Sequence, residues 1–218
     1  MDSESVNGAA YYADNYPDYE RQNSAAKLSF YMGLLERWVE RGSKIFELGV
    51  GLGLFLKRAA AHYECVGCDP NPYGARITRD RVPGVVVHEG SFECMPALPA
   101  QQAVVAWDVL EHIPDLDRAL QTIYSRLAPG GVLLAAVPVY DSPLGLITRL
   151  LDHDPTHLWK LSRHDWLDRV GQHGFEIVER GGIVRKLVGS RWYVHVTRPQ
   201  FILRRCSSAF YFVARKPL

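Results

Sequence analysis

The chain reads as an α/β fold built on a mostly parallel sheet with helices on both faces. Three observations predict it. Short apolar runs of strand length alternate with segments of helical period from Lys44 onward. The first of those runs passes through glycines at alternate positions directly into an apolar, helix-compatible segment. A length of 218 residues with 47% apolar content suits one such domain with a modest addition.

Residues 1–20 are polar and carry a tyrosine cluster, Tyr11, Tyr12, Tyr16 and Tyr19, with Pro17 as a helix breaker. They read as a lid arm, with a disordered tail as the alternative. Leu28, Tyr31, Met32, Leu35 and Val39 recur at helical spacing before Gly42, so residues 22–41 hold a helix. Arm and helix form an N-terminal part, residues 1–43. The main domain is expected over 44–218, with 139–163 and 181–207 as substrate-side insertions.

The central stretch runs from Lys44 to Leu54 and contains Glu47, Gly49, Gly51 and Gly53. It predicts a strand, a tight turn and a helix over Leu54 to Ala61. Glycines without Cβ let a ligand lie against the backbone at the carboxyl end of the strand. Dinucleotide sites use G-x-G-x-x-G and seat a diphosphate on a helix N-terminus. This turn is G-x-G-x-G, with a carboxylate two residues ahead of it. Such a carboxylate repels diphosphate and attracts a cation. S-adenosylmethionine carries an ammonium and a sulfonium, so charge favours it over NAD. An ordinary turn without a ligand is the alternative.

A second strand, Cys65 to Asp69, ends in Asp69-Pro70-Asn71. A carboxylate there, about twenty residues past the glycines, can accept from both ribose hydroxyls of a nucleoside. Helix Tyr73 to Arg81 and strand Val85 to His88 follow. Ser91 and Phe92 then fall at a third strand end, where Phe92 can flank an adenine or serve as plain core. Strand Ala103 to Trp107 opens into Asp108-Val109-Leu110-Glu111-His112. Helix Leu116 to Leu127 ends at Ala128-Pro129-Gly130-Gly131, and an apolar strand spans Val132 to Val137. Ser142 to Leu151 is compatible with a helix, and His153 to Trp159 with a loop. Ser162 caps a helix, with Asp165 standing in for the capping-box Glu. Strands Phe175 to Glu179 and Phe210 to Arg215 complete the sheet.

Composition excludes several classes. Net charge is +1, so bulk charge does not select a polyanion. No apolar run approaches the roughly 20 residues that span a bilayer. The polar, acidic start has no basic n-region or apolar h-region, so a cytoplasmic protein is expected. Cys65 and Cys68 form a C-x-x-C, but residues three apart on a strand face opposite ways. Four free thiols fit a reducing compartment, and no metal site is expected.

With these residues in view, the chain resembles the class I S-adenosylmethionine-dependent methyltransferases, small-molecule type, and is similar to the ubiquinone-biosynthesis O-methyltransferases. The most specific segments are Asp108 to Ile113 and Arg126 to Gly131. His157, Leu161-Ser162 and Gly174-Phe175-Glu176 match the family's later part. The resemblance implies a Rossmann-like three-layer sandwich with a seven-stranded, mostly parallel sheet and an antiparallel last strand. It implies that Glu47, Gly49, Gly51 and Gly53 hold the methionine part of S-adenosylmethionine and that Asp69 binds ribose. It also implies that Ser91 and Phe92 flank adenine, and that Asp108, Val109 and His112 line the cofactor and the methyl-transfer chamber. Tyr12 and Pro70 are counted with the cofactor set. Where the family commonly has aspartate this chain has Ser91, so a hydrogen bond to adenine would lose charge assistance.

Methyl transfer is an in-line displacement needing alignment and water exclusion. A base is required only if the acceptor must lose a proton. His112 and His157 are the candidates, each with a structural role as the alternative. From Arg180 to Leu218 there is no Asp or Glu, while Arg185, Lys186, Arg198, Arg204 and Arg205 interleave with Trp192, Phe201 and Ile202. That stretch suits an anionic, lipid-like or carrier-bound acceptor, or peripheral membrane contact through 185–205. A solvated face is the bland alternative, and no nucleic acid is expected. Two other function classes stay open: a non-catalytic methyltransferase-like partner subunit, and a nucleotide-dependent oxidoreductase, which Glu47 disfavours.

Overall fold

A computed structural model describes residues 8–16, 18–96, 100–151, 154–188 and 192–218. Met1–Asn7 of the expected lid arm, Pro17 and His153 lie outside the described residues. The N-terminal part holds α1 (Ala9–Asn15), α2 (Tyr19–Gln22) and α3 (Ala25–Trp38). Then come β1 (Lys44–Leu48), α4 (Leu54–Ala59), β2 (Glu64–Asp69), α5 (Pro72–Arg81), β3 (Val86–Glu89) and β4 (Gln101–Trp107). The chain continues with α6 (Leu116–Arg126), β5 (Leu127–Pro138), α7 (Pro143–Leu151), α8 (Arg163–Gln172), β6 (Glu176–Val188), β7 (Trp192–Val196), α9 (Gln200–Cys206) and β8 (Ala209–Arg215).

The strands hydrogen-bond in the order β3-β2-β1-β4-β5-β8-β6-β7. Pairs β1–β2, β1–β4 and β2–β3 are parallel, and β8 is antiparallel to both β5 and β6. The expected antiparallel last strand is therefore present. The sheet has eight strands rather than seven. The cause is local to 181–207: β6 runs on to Val188, and β7 pairs antiparallel with it. β5 also starts earlier than expected. Gly130 N donates to Lys216 O, and Lys216 N to Gly131 O, both at 2.9 Å, so the glycines read as a helix stop are held beside the chain that follows β8.

The molecule divides into two compact units, 1–105 with 126–128, and 106–125 with 129–218. In the first, Ser24 caps α3 by accepting from Lys27 N, and α3 buries Leu28, Tyr31, Met32, Leu34 and Leu35. Val50, Leu56, Ala75 and Val87 form a buried cluster that ties the glycine turn, α4, α5 and β3 together. In the second, α6 buries Leu116, Ala119, Leu120 and Ile123, one stripe at helical spacing. Ser162 and Asp165 form the full capping box of α8, whose Trp166 and Val170 are buried. β8 is buried from Ala209 to Ala214.

Candidate functional site

In the first unit β1 delivers the chain into a turn whose shape only glycine tolerates. Gly51 has φ +55° and Gly53 φ +77°, the left-handed region that side chains avoid. A Cβ on Gly51 would lie 2.2 Å from Tyr19 Oη, and one on Gly53 would lie 2.8 Å from Thr78 Cγ2. Each amide of the turn has an acceptor. Gly49 and Val50 donate to Cys68 O at 2.9 and 3.0 Å. Gly51 donates to Asp69 Oδ2 at 2.7 Å and Leu52 to Tyr19 Oη at 3.0 Å. Gly53 donates to Val50 O at 2.9 Å. Thr78 Oγ1 donates to Gly51 O at 3.0 Å and fixes the turn on α5.

Both carboxylates of the first unit, Glu47 and Asp69, are buried. Glu47 is 3% exposed, and its Oε2 has no hydrogen-bond partner among the described residues. Burial, and then the charge of Asp69, push its acid well above the usual carboxylate range. Asp69 is buried at the tip of β2 and accepts from Asn71 N at 2.9 Å as well as from Gly51 N. Burial raises its pKa to about 6, against the opposing pull of those two amides. Tyr12 is buried, with its ring 5.7 Å from Tyr19 and 5.9 Å from Tyr73. Burial, followed by the Asp69 charge, raises the Tyr12 phenol's pKa. Ser91 is half-buried and its carbonyl takes the Cys68 thiol at 3.2 Å. Phe92 is buried at the start of a single 3-10 turn, as plain core would be. Pro70 is exposed. Tyr19, Thr78 and Asn71 were not singled out in the sequence, although Tyr19 belongs to the tyrosine cluster seen there.

In the second unit Asp108 sits just past β4 at φ +59°, a conformation that aspartate tolerates better than most residues. Its amide donates to Ala136 O at 2.9 Å and its carboxylate pairs with Arg185 of β6. Val109, half-buried, starts the 3-10 turn that carries His112. The expected histidines meet here: the rings of His112 and His157 stand 4.7 Å apart. Leu158 N and Trp159 N donate to Glu111 O, and Trp159 Nε1 to Ile113 O at 2.7 Å, so the 154–160 loop is pinned to the 3-10 turn.

His112 has a defined tautomer. Thr156 Oγ1 donates its hydrogen to Asp154 Oδ1 at 2.5 Å. It can therefore only accept from His112 Nδ1, 2.9 Å away, and Thr156 O, at 3.0 Å, is itself an acceptor. The hydrogen is thus on Nδ1, and Nε2 keeps its lone pair in the neutral ring. Burial, and then His157, lower the pKa of His112 and favour that neutral form. Ligand atoms of Glu111, His112 and His157 all fall within 4.8 Å of one another, a grouping that could also hold a cation. Thr156 and Asp154 had no sequence signal for this role, since Thr156 meets His112 44 positions away and Asp154 acts through Thr156. Arg185 was read with the basic C-terminal stretch, and its pairing with Asp108, 77 positions away, was not foreseen.

The donor and acceptor chemistry of the first unit fits S-adenosylmethionine: an orphaned buried carboxylate oxygen suits an ammonium and a buried acid at a strand tip suits ribose. Tyr19 Oη stands where a Cβ on Gly51 would lie, so a ligand against that face of the turn would displace it.

Comparison with known proteins places the chain in a family. Residues 19–180 match the family described as Methyltransferase domain. A curated relative, the ubiquinone biosynthesis O-methyltransferase of Agrobacterium fabrum, is 26% identical over 169 residues, which cover 69% of this chain and 66% of the relative. The chain therefore spans just under two thirds of that protein's length. Among solved structures, a chain from the complex between the Haloferax volcanii Trm112 methyltransferase activator and a methyltransferase is similar, with a TM-score of 0.72, 19% identity, and 96% and 95% of the two chains covered. A Thermotoga maritima S-adenosylmethionine-dependent methyltransferase has a TM-score of 0.67 at 19% identity, with 94% and 98% covered.

Proposed function

We propose that this chain, which belongs to the methyltransferase domain family, is a class I, S-adenosylmethionine-dependent methyltransferase that methylates a hydroxyl group of a small-molecule acceptor. One observation carries this reading: the lone-pair Nε2 of a neutral His112, fixed by the Thr156 contacts to its Nδ1–H. An amine acceptor needs no base once deprotonated, whereas a hydroxyl gains from one. The name of the Agrobacterium relative supports the same choice of atom.

When bound, S-adenosylmethionine supplies an activated methyl group on sulfur. Glu47 would hold its ammonium, the backbone around Gly49, Gly51 and Gly53 its methionine part, and Asp69 its ribose. Tyr12 and Tyr19 help to exclude water from the turn. His112 Nε2 would take the acceptor's hydroxyl proton, and Thr156 and Asp154 keep the ring in the required tautomer. His157, whose Nε2 lies 3.9 Å from Asp154 Oδ2, is the second base candidate.

The test is a screen of hydroxylated aromatic and aliphatic acceptors with methyl-labelled cofactor, preceded by calorimetry with S-adenosylhomocysteine. Label in an ether product supports the proposal. Label only on nitrogen or carbon overturns it. A second reading, a non-catalytic or partner-dependent methyltransferase-like subunit, draws support from the Haloferax neighbour, which was solved with an activator protein. Cofactor binding without transfer to any acceptor would favour it.

A further inference from the structure

Two helices of the second unit expose apolar side chains that a folded core does not use. On α7, Leu146 is 55% exposed, Ile147 47% and Leu150 78%; on α9, Phe201 is 75% exposed and Ile202 47%. The opposite faces are anchored: Gly145 and Leu203 are buried. The helices pack on each other. Ser142 Oγ donates to Ser207 O at 2.7 Å and accepts from Gly145 N at 2.9 Å, which ties the start of α7 to the end of α9. The apolar faces are thus presented by a fixed pair of elements. Isolated exposed apolar residues are ordinary; a group of large ones on neighbouring helices calls for a partner.

Charge identifies the partner. Arg149, Arg198 and Arg205 are exposed on and beside these helices. No Asp or Glu occurs within α7 or anywhere from Arg180 to Leu218. A second copy docked on the same faces would set these arginines against the same arginines, with no acid on either helix to offset them. A surface with apolar depth and anionic headgroups satisfies both features at once. We infer that α7 and α9 anchor the protein peripherally to an anionic lipid bilayer, with Leu150 and Phe201 entering the acyl boundary and the arginines meeting the headgroups. Arg185, which lies in the stretch where membrane contact was expected, takes no part, because its guanidinium is paired with Asp108. The anchor does not depend on which acceptor the enzyme methylates.

Co-sedimentation tests this with the full chain, vesicles of phosphatidylcholine alone, and vesicles of phosphatidylcholine with phosphatidylglycerol, at low and high salt. Binding is expected only with phosphatidylglycerol and should weaken as salt rises. Leu150→Ser with Phe201→Ser should weaken it about tenfold. Arg149→Gln with Arg198→Gln and Arg205→Gln should weaken it roughly fivefold per arginine at low salt. Calorimetry with S-adenosylhomocysteine on each variant reports that the fold is intact. No binding to phosphatidylglycerol vesicles overturns the inference, as does equal binding by the wild type and the Leu150/Phe201 variant. A dimer in light scattering that the Leu150/Phe201 variant abolishes, with vesicles ignored, would assign the patch to a second copy. Any of these results leaves the methyl-transfer proposal standing, since that is read from labelled product.

Discussion

Glu47 and His112 show how burial sets chemistry one side chain at a time. Glu47 is a buried acid whose Oε2 has no acceptor or donor opposite it among the described residues, a costly arrangement unless a ligand completes it. Glu47→Gln keeps the shape and removes the charge. Its urea midpoint at pH 8 should not fall, while affinity for S-adenosylhomocysteine should drop at least about tenfold, since a hydrogen bond to a charged group contributes roughly 1.5–3 kcal/mol. A Gln variant that binds as tightly as the wild type would remove Glu47 from the cofactor site. His112→Ala should lower kcat by about 100-fold or more, the usual range for a general base, with the S-adenosylhomocysteine affinity unchanged. His157→Ala is the comparison. If His157 is the base and His112 only packs beside it, the two losses exchange. The identities of these residues are legible in the sequence, because a carboxylate before a glycine turn and a histidine after a strand end are local patterns. Thr156 and Asp154, which select the His112 tautomer, are not, because the hydrogen bond from His112 to Thr156 spans 44 positions.

At the level of elements, the glycine turn and the α8 capping box are both local and both foreseen, yet they do different work. Ser162→Ala removes the side-chain acceptor for Asp165 N and should cost about 1 kcal/mol in a denaturant titration, with cofactor affinity unchanged. Gly51→Ala should cost about 1–2 kcal/mol from the left-handed backbone alone. It should also weaken S-adenosylhomocysteine binding, because the new methyl group would stand 2.2 Å from Tyr19 Oη. If Gly51→Ala costs stability but binds normally, the turn is structural only. Strand boundaries were the least legible feature. β6 reads as five residues in sequence, since its apolar alternation fades after Glu179, but it runs from Glu176 to Val188 because β8 and then β7 supply hydrogen-bonding partners. A strand's length follows its neighbours as well as its own composition.

For the whole molecule, the buried acids couple folding and ligand binding to pH in opposite directions. The folded pKa of Asp69 is about 6, above its ordinary 3.8. Its contribution to stability is therefore fully present below the ordinary value and is lost as pH rises through about 6. That is about 3 kcal/mol from roughly two pKa units. The ligand-free protein should lose stability between pH 4 and 7, and Asp69→Asn should flatten that slope in a chemical-denaturation series. S-adenosylhomocysteine affinity should instead rise through the same window, because ribose hydroxyls donate best to the ionised carboxylate. Glu47 adds to this: an ammonium beside a raised acid favours its ionised form, so binding near neutrality should release protons. Calorimetry in buffers of different ionisation enthalpy detects that release, and buffer-independent heats would refute it.

Alternating apolar runs, the acid ahead of three glycines, the carboxylate at the second strand's tip and the acid-free C-terminal stretch are readable along the chain, because each depends on neighbours within a few positions or on composition. Folding had to supply the rest. It placed Tyr19 over the turn, gave His112 its tautomer, paired Arg185 with Asp108 and left Leu150 and Phe201 exposed, since each of these follows from which distant segments meet, and solvent exclusion depends on that meeting.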